Sequence, residues 1–232
     1  MKWSYGVTTV PSRRDTLLPT TLRSLARGGF GYPRLFVDGA TEAELEEYKR
    51  FGCEISARSP ALRTAGNWFL SLLELYLRDS LADRYALFQD DLVTSHNLRS
   101  YLESTPYPPR SYLNLYTMPS NQDLVGKDFV GWFRSNQFGR GAVGLVFDRN
   151  ATVLLLSSHH MLTRPQDLDK GWKSVDGGIV TAMTKEGYSE FVHSPSLVQH
   201  TGKVSSMGTK EQPLAPVFRG EDFDLMELLR CE

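Results

Sequence analysis

An α/β architecture, with a mostly parallel sheet flanked by helices, is predicted from the alternation of strand and helix patterns through residues 1–105. The strand patterns are short, and most stop at a charged or turn-forming cluster, which supports the same class. Tyr5-Gly6-Val7-Thr8-Thr9-Val10 is a buried strand stopped by Pro11. Residues 16–27 place Leu17, Leu18, Leu22 and Leu25 at helical spacing, with Pro19 tolerated in the first turn and Gly28-Gly29 as the stop. Arg34-Leu35-Phe36-Val37 is a second strand, ending in Asp38-Gly39. Thr41 then caps a helix over residues 42–51, with Glu44 completing a capping box and Gly52 ending it. Cys53-Glu54-Ile55-Ser56 is a weaker third strand. Residues 61–81 form the longest helical pattern, with Leu62, Ala65, Phe69, Leu72, Leu73, Tyr76 and Leu77 on one face. Tyr85-Ala86-Leu87-Phe88-Gln89 is the fourth strand, broken off by Asp90-Asp91.

The second half departs from this regularity after the linker-like Pro106-Tyr107-Pro108-Pro109. Strands are expected at residues 112–116 and 141–147, with a polar stretch holding Trp132, Phe133 and Arg134 between them. Helices are expected at residues 149–157 and 174–186, short strands at residues 191–193 and 196–200, and a small-residue loop at residues 203–208. Residues 221–230 suit a short helix whose first turn carries acids, as the helix dipole prefers. The expected organisation is one domain over residues 1–210, with a nucleotide-binding half (1–105) and an acceptor-side half (106–210). Residues 211–232 form a tail.

At 232 residues the chain can bury a sizeable core, and its 41% apolar and 23% charged fractions are ordinary for a globular protein. A net charge of −1 implies no global basic field and so no sequence-independent electrostatic grip on nucleic acid. Cys53 and Cys231 form no CxxC pair and are expected to be reduced thiols. No apolar run approaches the ~18–20 residues that a membrane span needs, and Met1 to Tyr5 lead into a strand without a signal-like apolar core. A cytoplasmic protein is expected.

In an open parallel sheet, ligands sit beyond the carboxyl ends of the strands. Here those ends carry Pro11-Ser12-Arg13-Arg14, Asp38-Gly39 and Asp90-Asp91. Two adjacent carboxylates repel unless a cation or hydrogen-bond donors offset them. Mg²⁺ and Mn²⁺ favour oxygen ligands and often take one or two carboxylates together with substrate phosphates. By itself Asp90-Asp91 is more often a solvated turn. The run Pro195-Ser196-Leu197-Val198-Gln199-His200-Thr201-Gly202-Lys203-Val204-Ser205-Ser206-Met207-Gly208 adds a second, more specific signal.

Together these motifs resemble glycosyltransferases of the GT-A fold, above all the branching N-acetylglucosaminyltransferases (type IV) and more loosely the procollagen galactosyltransferase-like group. In the former, an apolar strand ends in an Asp-Asp or Glu-Asp-Asp metal motif, and a Pro-Ser-Leu-x-Gln-His-x-Gly-x-x-Ser-Ser segment lies near the end of the catalytic domain. The likeness covers residues 5–208 and includes the strand at residues 141–147 and the helix holding Asp176. This chain departs from the pattern in having Gln89 where an acid is usual and in being short, without the membrane anchor of many relatives.

The resemblance implies that Asp91 binds a divalent metal, Mn²⁺ or Mg²⁺, and that Asp90 holds ribose or orients the site. His200 would complete the metal sphere, as a neutral imidazole can. Lys203, with Ser205 and Ser206, would close over the diphosphate of a nucleotide-diphosphate sugar, with a solvated surface turn as an equal alternative. Thr8, Thr9, Val10 and Arg13 would embrace the nucleoside, and Asp38 would meet the base or ribose unless Asp38-Gly39 is a plain turn. Arg63, Gly66 and Asn67 open the long helix, where an Arg and an Asn one turn apart could bind phosphate or sugar hydroxyls. Gly66 costs ~1 kcal/mol there relative to Ala, which either a ligand's approach or tight helix packing would justify. Asp176, at a helix start, is the candidate general base for an inverting transfer, with an ordinary helix-terminal acid as the competing explanation. Trp132 and Trp172, both assigned to polar loops, would stack on the acceptor or anchor their loops.

The function expected is transfer of a sugar from a nucleotide-diphosphate sugar, a UDP-sugar by the resemblance, to a hydroxyl. The acceptor is left open among a glycan, a lipid-linked intermediate, a small molecule and a hydroxymethylated base of DNA. A nucleotidyltransferase is a rival; it calls for a glycine-rich basic loop after the first strand, and Pro11-Ser12-Arg13-Arg14 has the bases without the glycines. A non-catalytic nucleotide-sugar-binding module is another. Oligomeric state is not legible.

Overall fold

Strand β1 (Trp3–Thr9) lies inside the sheet, and the chain winds outward from it in both directions. The computed structural model describes residues 1–163, 175–201 and 213–230. After β1 come α1 (Leu18–Arg27), β2 (Arg34–Asp38), α2 (Glu42–Tyr48), β3 (Ile55–Arg58), α3 (Arg63–Arg78) and β4 (Arg84–Gln89). The chain continues with β5 (Leu92–Thr94), α4 (Leu98–Ser104), β6 (Ser111–Asn114), α5 (Pro119–Gln122), β7 (Gly131–Arg134), β8 (Gly144–Asp148), α6 (Arg149–Ser157) and α7 (His159–Thr163). It closes with α8 (Val175–Lys185), β9 (Ser189–Ser194), β10 (Val198–His200) and a 3₁₀ segment, Leu225–Arg230.

One sheet takes the order β3-β2-β1-β4-β8-β6-β9-β7. The pairs among β3, β2, β1 and β4 are parallel, as is β6 with β9, whereas β8 runs against both β4 and β6, and β7 runs against β9. The mostly parallel α/β class is therefore as expected. Alternate residues of the central strands feed two cores. Val7, Leu35, Val37, Ala86, Phe88 and Val146 face the layer with Leu25, Phe30 and Leu98. Phe36, Tyr85, Leu87, Leu145 and Phe147 face Trp68, Leu72 and Ile179. Burial on both faces explains why these strands read as unbroken apolar runs. Gly6 is required at its place, because a Cβ there would lie 2.4 Å from the Phe36 ring.

Local chemistry sets several ends. Pro19 sits in the first turn of α1, and Thr41 with Glu44 forms the capping box of α2. Asp148 caps α6 by accepting from the Ala151 amide. Some expectations need correction. The third strand starts at Ile55, not Cys53, and the tail helix is a 3₁₀ segment. Trp132 lies on edge strand β7, not in a polar loop, because Gly131–Arg134 pairs with β9 and seats Trp132 opposite His193. Among the described residues no helix is long and apolar enough to cross a membrane.

His193 is fully buried, and both ring nitrogens are used: Nδ1 lies 2.8 Å from the Pro195 carbonyl and Nε2 2.6 Å from the Tyr101 hydroxyl. A carbonyl can only accept, so the proton belongs on Nδ1 and the ring is neutral, with Tyr101 donating to Nε2. Burial lowers its pKa from 6.5 to about 4. The fold thus prefers neutral His193, and its contribution to stability is present above pH 6.5 and lost as pH falls toward 4. Replacing His193 with Asn should flatten the stability profile between pH 7 and 4 by up to ~3 kcal/mol relative to the native chain. Urea denaturation across that range measures it, and parallel profiles for the two proteins would refute this role.

Candidate functional site

Because β2 and β3 are wound to one side of β1 and β4 lies on the other, the sheet switches direction between β1 and β4. A crevice beyond the carboxyl ends of such a strand pair is where open α/β sheets bind ligands. Thr9 ends β1 and Asp90-Asp91 follow β4, so the topology brings these residues together. The Thr9 hydroxyl donates to Asp90 Oδ2 at 2.6 Å. A 3₁₀ turn, Pro11–Arg13, brings Arg13 back over the pair, and its Nη1 reaches Asp90 Oδ1 at 2.6 Å and Asp91 Oδ2 at 2.8 Å. Both carboxylate side chains are only 3% exposed. Burial pushes the Asp90 carboxyl up, while the Arg13 charge and the Thr9 and Arg13 hydrogen bonds pull it back.

His200 arrives through a separate ribbon. Strands β5 and β10 pair antiparallel with His200 opposite Leu92, and the Thr201 amide donates to the Asp91 carbonyl at 2.8 Å. This register sets His200 Nε2 3.4 Å from Asp91 Oδ2. Helix α1 secures the other side of β5. Thr21 Oγ1 exchanges hydrogen bonds with the backbone of Leu92, and Ser24 Oγ does so with Thr94. Hydroxyls thereby satisfy a strand edge that would otherwise leave buried amides unpaired.

Among the described residues, Asp91 Oδ1 is buried without a hydrogen-bond partner, as is the Thr201 hydroxyl. An orphaned carboxylate oxygen is costly in a native interior unless something coordinates it. Oxygen from Asp91 and nitrogen from His200 suit Mn²⁺, or Mg²⁺ with more water. No group of at least three His, Cys, Asp or Glu side chains converges among the described residues. A cation held here would take most of its ligands from phosphate and water, which is how Mg²⁺ commonly sits in phosphate-transfer sites.

The other donor-side candidates lie on β1, β2 and α3. Thr8 Oγ1 donates to the Phe88 carbonyl at 3.3 Å, and Val10 caps the turn that carries Arg13. Asp38, at the end of β2, uses both oxygens on α3: the Leu62 and Arg63 amides each donate at 2.7 Å. It thus satisfies amides at the start of a helix whose capping residue, Leu62, has no side chain able to do so. Arg63 enters the helix with φ +62°. Gly66 is buried inside α3, and Asn67 donates to the Phe36 carbonyl at 3.1 Å, tying α3 to β2.

Across the crevice, one loop links the carboxylate pair to Asp176. Gln89 Nε2 donates to the Ala142 carbonyl at 2.9 Å, while the Gly141 and Ala142 amides donate to Asp176 Oδ2 at 2.8 and 3.2 Å. Gly139 (φ +62°) and Gly141 (φ +78°) are needed there, since a Cβ on Gly139 would strike the Asp176 carbonyl and one on Gly141 the Tyr116 ring. Glu190, buried beside Asp176, accepts from Tyr112 and Asn114, each at 3.2 Å. Burial pushes its carboxyl up, and the Asp176 charge adds to this. Trp132 packs edge-on against His193 with ring centroids 4.9 Å apart, and its indole nitrogen is buried without a partner. Trp172 and Lys203 lie outside the described residues, as do Ser205 and Ser206.

The structure thus gathers Thr9, Arg13, Asp90, Asp91 and His200 into one cluster. Asp38, Arg63 and Asn67 stand at the end of the neighbouring strand, and Asp176 lies beyond Gln89. Sequence reasoning missed Glu190, though an acid two residues before Val192, on the same strand face, is a signal. It also missed the Arg13 bridge and the Gln89 anchor, for which no local pattern exists.

No family model and no curated protein matches the chain. Solved structures do resemble it. GalNAc-T7, solved with UDP, GalNAc and Mn²⁺, aligns with a TM-score of 0.59 at 10% identity, over 86% of this chain and 44% of that one. A cytidylyltransferase from Leptospira borgpetersenii aligns with 0.54 at 11% identity, over 100% and 93%. The mannosyltransferase PcManGT from Pyrobaculum calidifontis, in complex with GDP-Man and Mn²⁺, aligns with 0.51 at 12%, over 82% and 53%. The chain spans about half the length of GalNAc-T7 and of the mannosyltransferase, at 44% and 53%. These likenesses show the fold, the GT-A type that glycosyltransferases share with nucleotidyltransferases.

Asp38 generates a direct test. Removing its carboxylate with Asp38→Ala takes away the acceptor that the Leu62 and Arg63 amides share at the start of α3 and should lower stability by ~1–2 kcal/mol, with a smaller loss for Asp38→Asn. Urea denaturation measures both; an Ala variant as stable as the native chain would show that Asp38 does not anchor α3.

Proposed function

We propose that the chain is a metal-dependent glycosyltransferase that moves a sugar from a nucleotide-diphosphate sugar, a UDP-sugar, to a hydroxyl acceptor. The carrying observation is Asp91, whose buried Oδ1 has no partner among the described residues and whose Oδ2 lies 3.4 Å from His200 Nε2, at the switch point of the sheet. Asp91 and His200 would hold the ion. Mn²⁺ or Mg²⁺, when bound, neutralises charge on the leaving diphosphate. Thr9 holds Asp90 in place toward the nucleoside. The motif likeness to branching N-acetylglucosaminyltransferases supports an inverting reaction, with Asp176 taking the acceptor's proton. The amides of Gly141 and Ala142 orient its carboxylate for this.

Coverage of nearly the whole cytidylyltransferase supports a second reading, nucleotidyl transfer. Against it, the turn after β1 contains no glycine, and its Arg13 is directed onto Asp90 and Asp91.

A calorimetric and hydrolysis screen of UDP-, GDP-, CDP- and dTDP-sugars, with Mn²⁺ or with chelator, tests the reading. A UDP-sugar should bind better with metal and release free UDP slowly. Asp91→Ala should abolish the metal-dependent part of binding. Asp176→Ala should preserve binding yet slow transfer by ~10²-fold or more. Equal loss of donor binding in the two variants would sink the assigned roles, and release of pyrophosphate from a nucleoside triphosphate would favour the second reading.

A further inference from the structure

Asp90 and Asp91 already have a cation. One guanidinium nitrogen, Arg13 Nη1, bridges Asp90 Oδ1 and Asp91 Oδ2, and the three side chains are 14%, 3% and 3% exposed. A guanidinium stays protonated at any pH the fold survives, so this charge cannot be removed by titration. Asp91 Oδ2 is approached by both Arg13 and His200, which leaves Oδ1 as its uncommitted oxygen. A divalent ion sits about 2.0–2.2 Å from a carboxylate oxygen, so on Asp91 it would lie within a few ångströms of the guanidinium and be repelled by it.

We propose that Arg13 is a resident counter-cation that competes with the divalent ion for Asp91, so that metal enters effectively only with the phosphates of the nucleotide. This rests on the metal-dependent reading given above. In the absence of nucleotide, Arg13 offsets half of the pair's negative charge and metal affinity is low. Phosphate brings negative charge that offsets two neighbouring cations and gives the displaced guanidinium a new partner. The backbone need not move for this exchange. The Arg13 amide is held by the Val10 carbonyl at 3.0 Å, and the Arg13 carbonyl accepts from Thr16 and Leu17 at 3.3 and 3.2 Å. Only the side chain swings. Thr9 still holds Asp90 Oδ2, so the carboxylates keep their positions.

The test is Mn²⁺ binding to the full chain, followed by electron paramagnetic resonance of free Mn²⁺, with and without UDP. Without UDP, Arg13→Gln should bind Mn²⁺ about tenfold or more tightly than the native chain, because both carboxylates are uncovered. Arg13→Lys, which keeps the charge, should stay near native. UDP should tighten Mn²⁺ binding more in the native chain than in Arg13→Gln. Adding Asp91→Asn to Arg13→Gln should erase the gain. If Arg13→Gln unfolds in chelator, recovery of its melting transition on adding Mn²⁺ reads out the same gain. Equal or weaker Mn²⁺ binding by Arg13→Gln, with the native chain binding normally, overturns the competition alone. If neither protein binds Mn²⁺ even with UDP, the metal-dependent reading falls with it.

Discussion

Everything in the crevice depends on the bridge from Arg13 to Asp90 and Asp91. Two adjacent carboxylates at the end of a buried strand repel each other in a medium that screens them poorly. A single guanidinium nitrogen meets both and makes the arrangement tenable. Removing one partner of a buried ion pair typically costs ~3–5 kcal/mol, because the remaining charges are stranded. The bridge also couples segments distant in sequence. The turn after β1, the end of β4 and, through Asp91, the β5–β10 ribbon share one electrostatic knot.

From this knot the chain builds outward by hydrogen bonds between side chains and backbone. Gln89 ties the end of β4 to the 139–142 loop, and the same loop offers two amides to Asp176. The glycines of that loop allow the close approach, since a side chain on Gly139 would displace α8. The Gln89 side-chain amide joins the Asp90-Asp91 corner to the 139–142 loop, which a carboxylate could not do by donation.

The parallel half of the fold was legible because β2 and β4 are buried on both faces and give apolar runs between clear turns, while β1 ends in β-branched residues before Pro11. Strand β5 was not, since three residues after Asp91 carry no periodicity. Edge strand β7 was hidden in a polar stretch, and its Trp132 makes sense only once His193 is opposite. In the site, Asp91 and His200 were legible through motifs, but not the role of Asp38. Nothing in Asp38-Gly39 says that its carboxylate meets the Leu62 and Arg63 amides; Leu62 stands where a capping side chain would be. Arg13 was selected as a donor-side residue from its place in the chain, while its partners emerge only from the fold.

The ribbon explains why a histidine so far along the chain meets an aspartate at its middle. A two-stranded ribbon is marginal alone, and β5 and β10 pair through only Leu92, Val93 and Thr94. Thr21 and Ser24 of α1 supply the missing edge, and the tail adds a further brace. Gln199 exchanges hydrogen bonds with the Ala215 backbone, and Asn97 donates to Asp224 at 3.1 Å. The Asp91–His200 geometry is therefore not local to either residue. It depends on helix α1 and the tail acting on the same ribbon from opposite sides. A substitution at Thr21 would disturb the crevice by loosening β5, with no atom of the site itself changed.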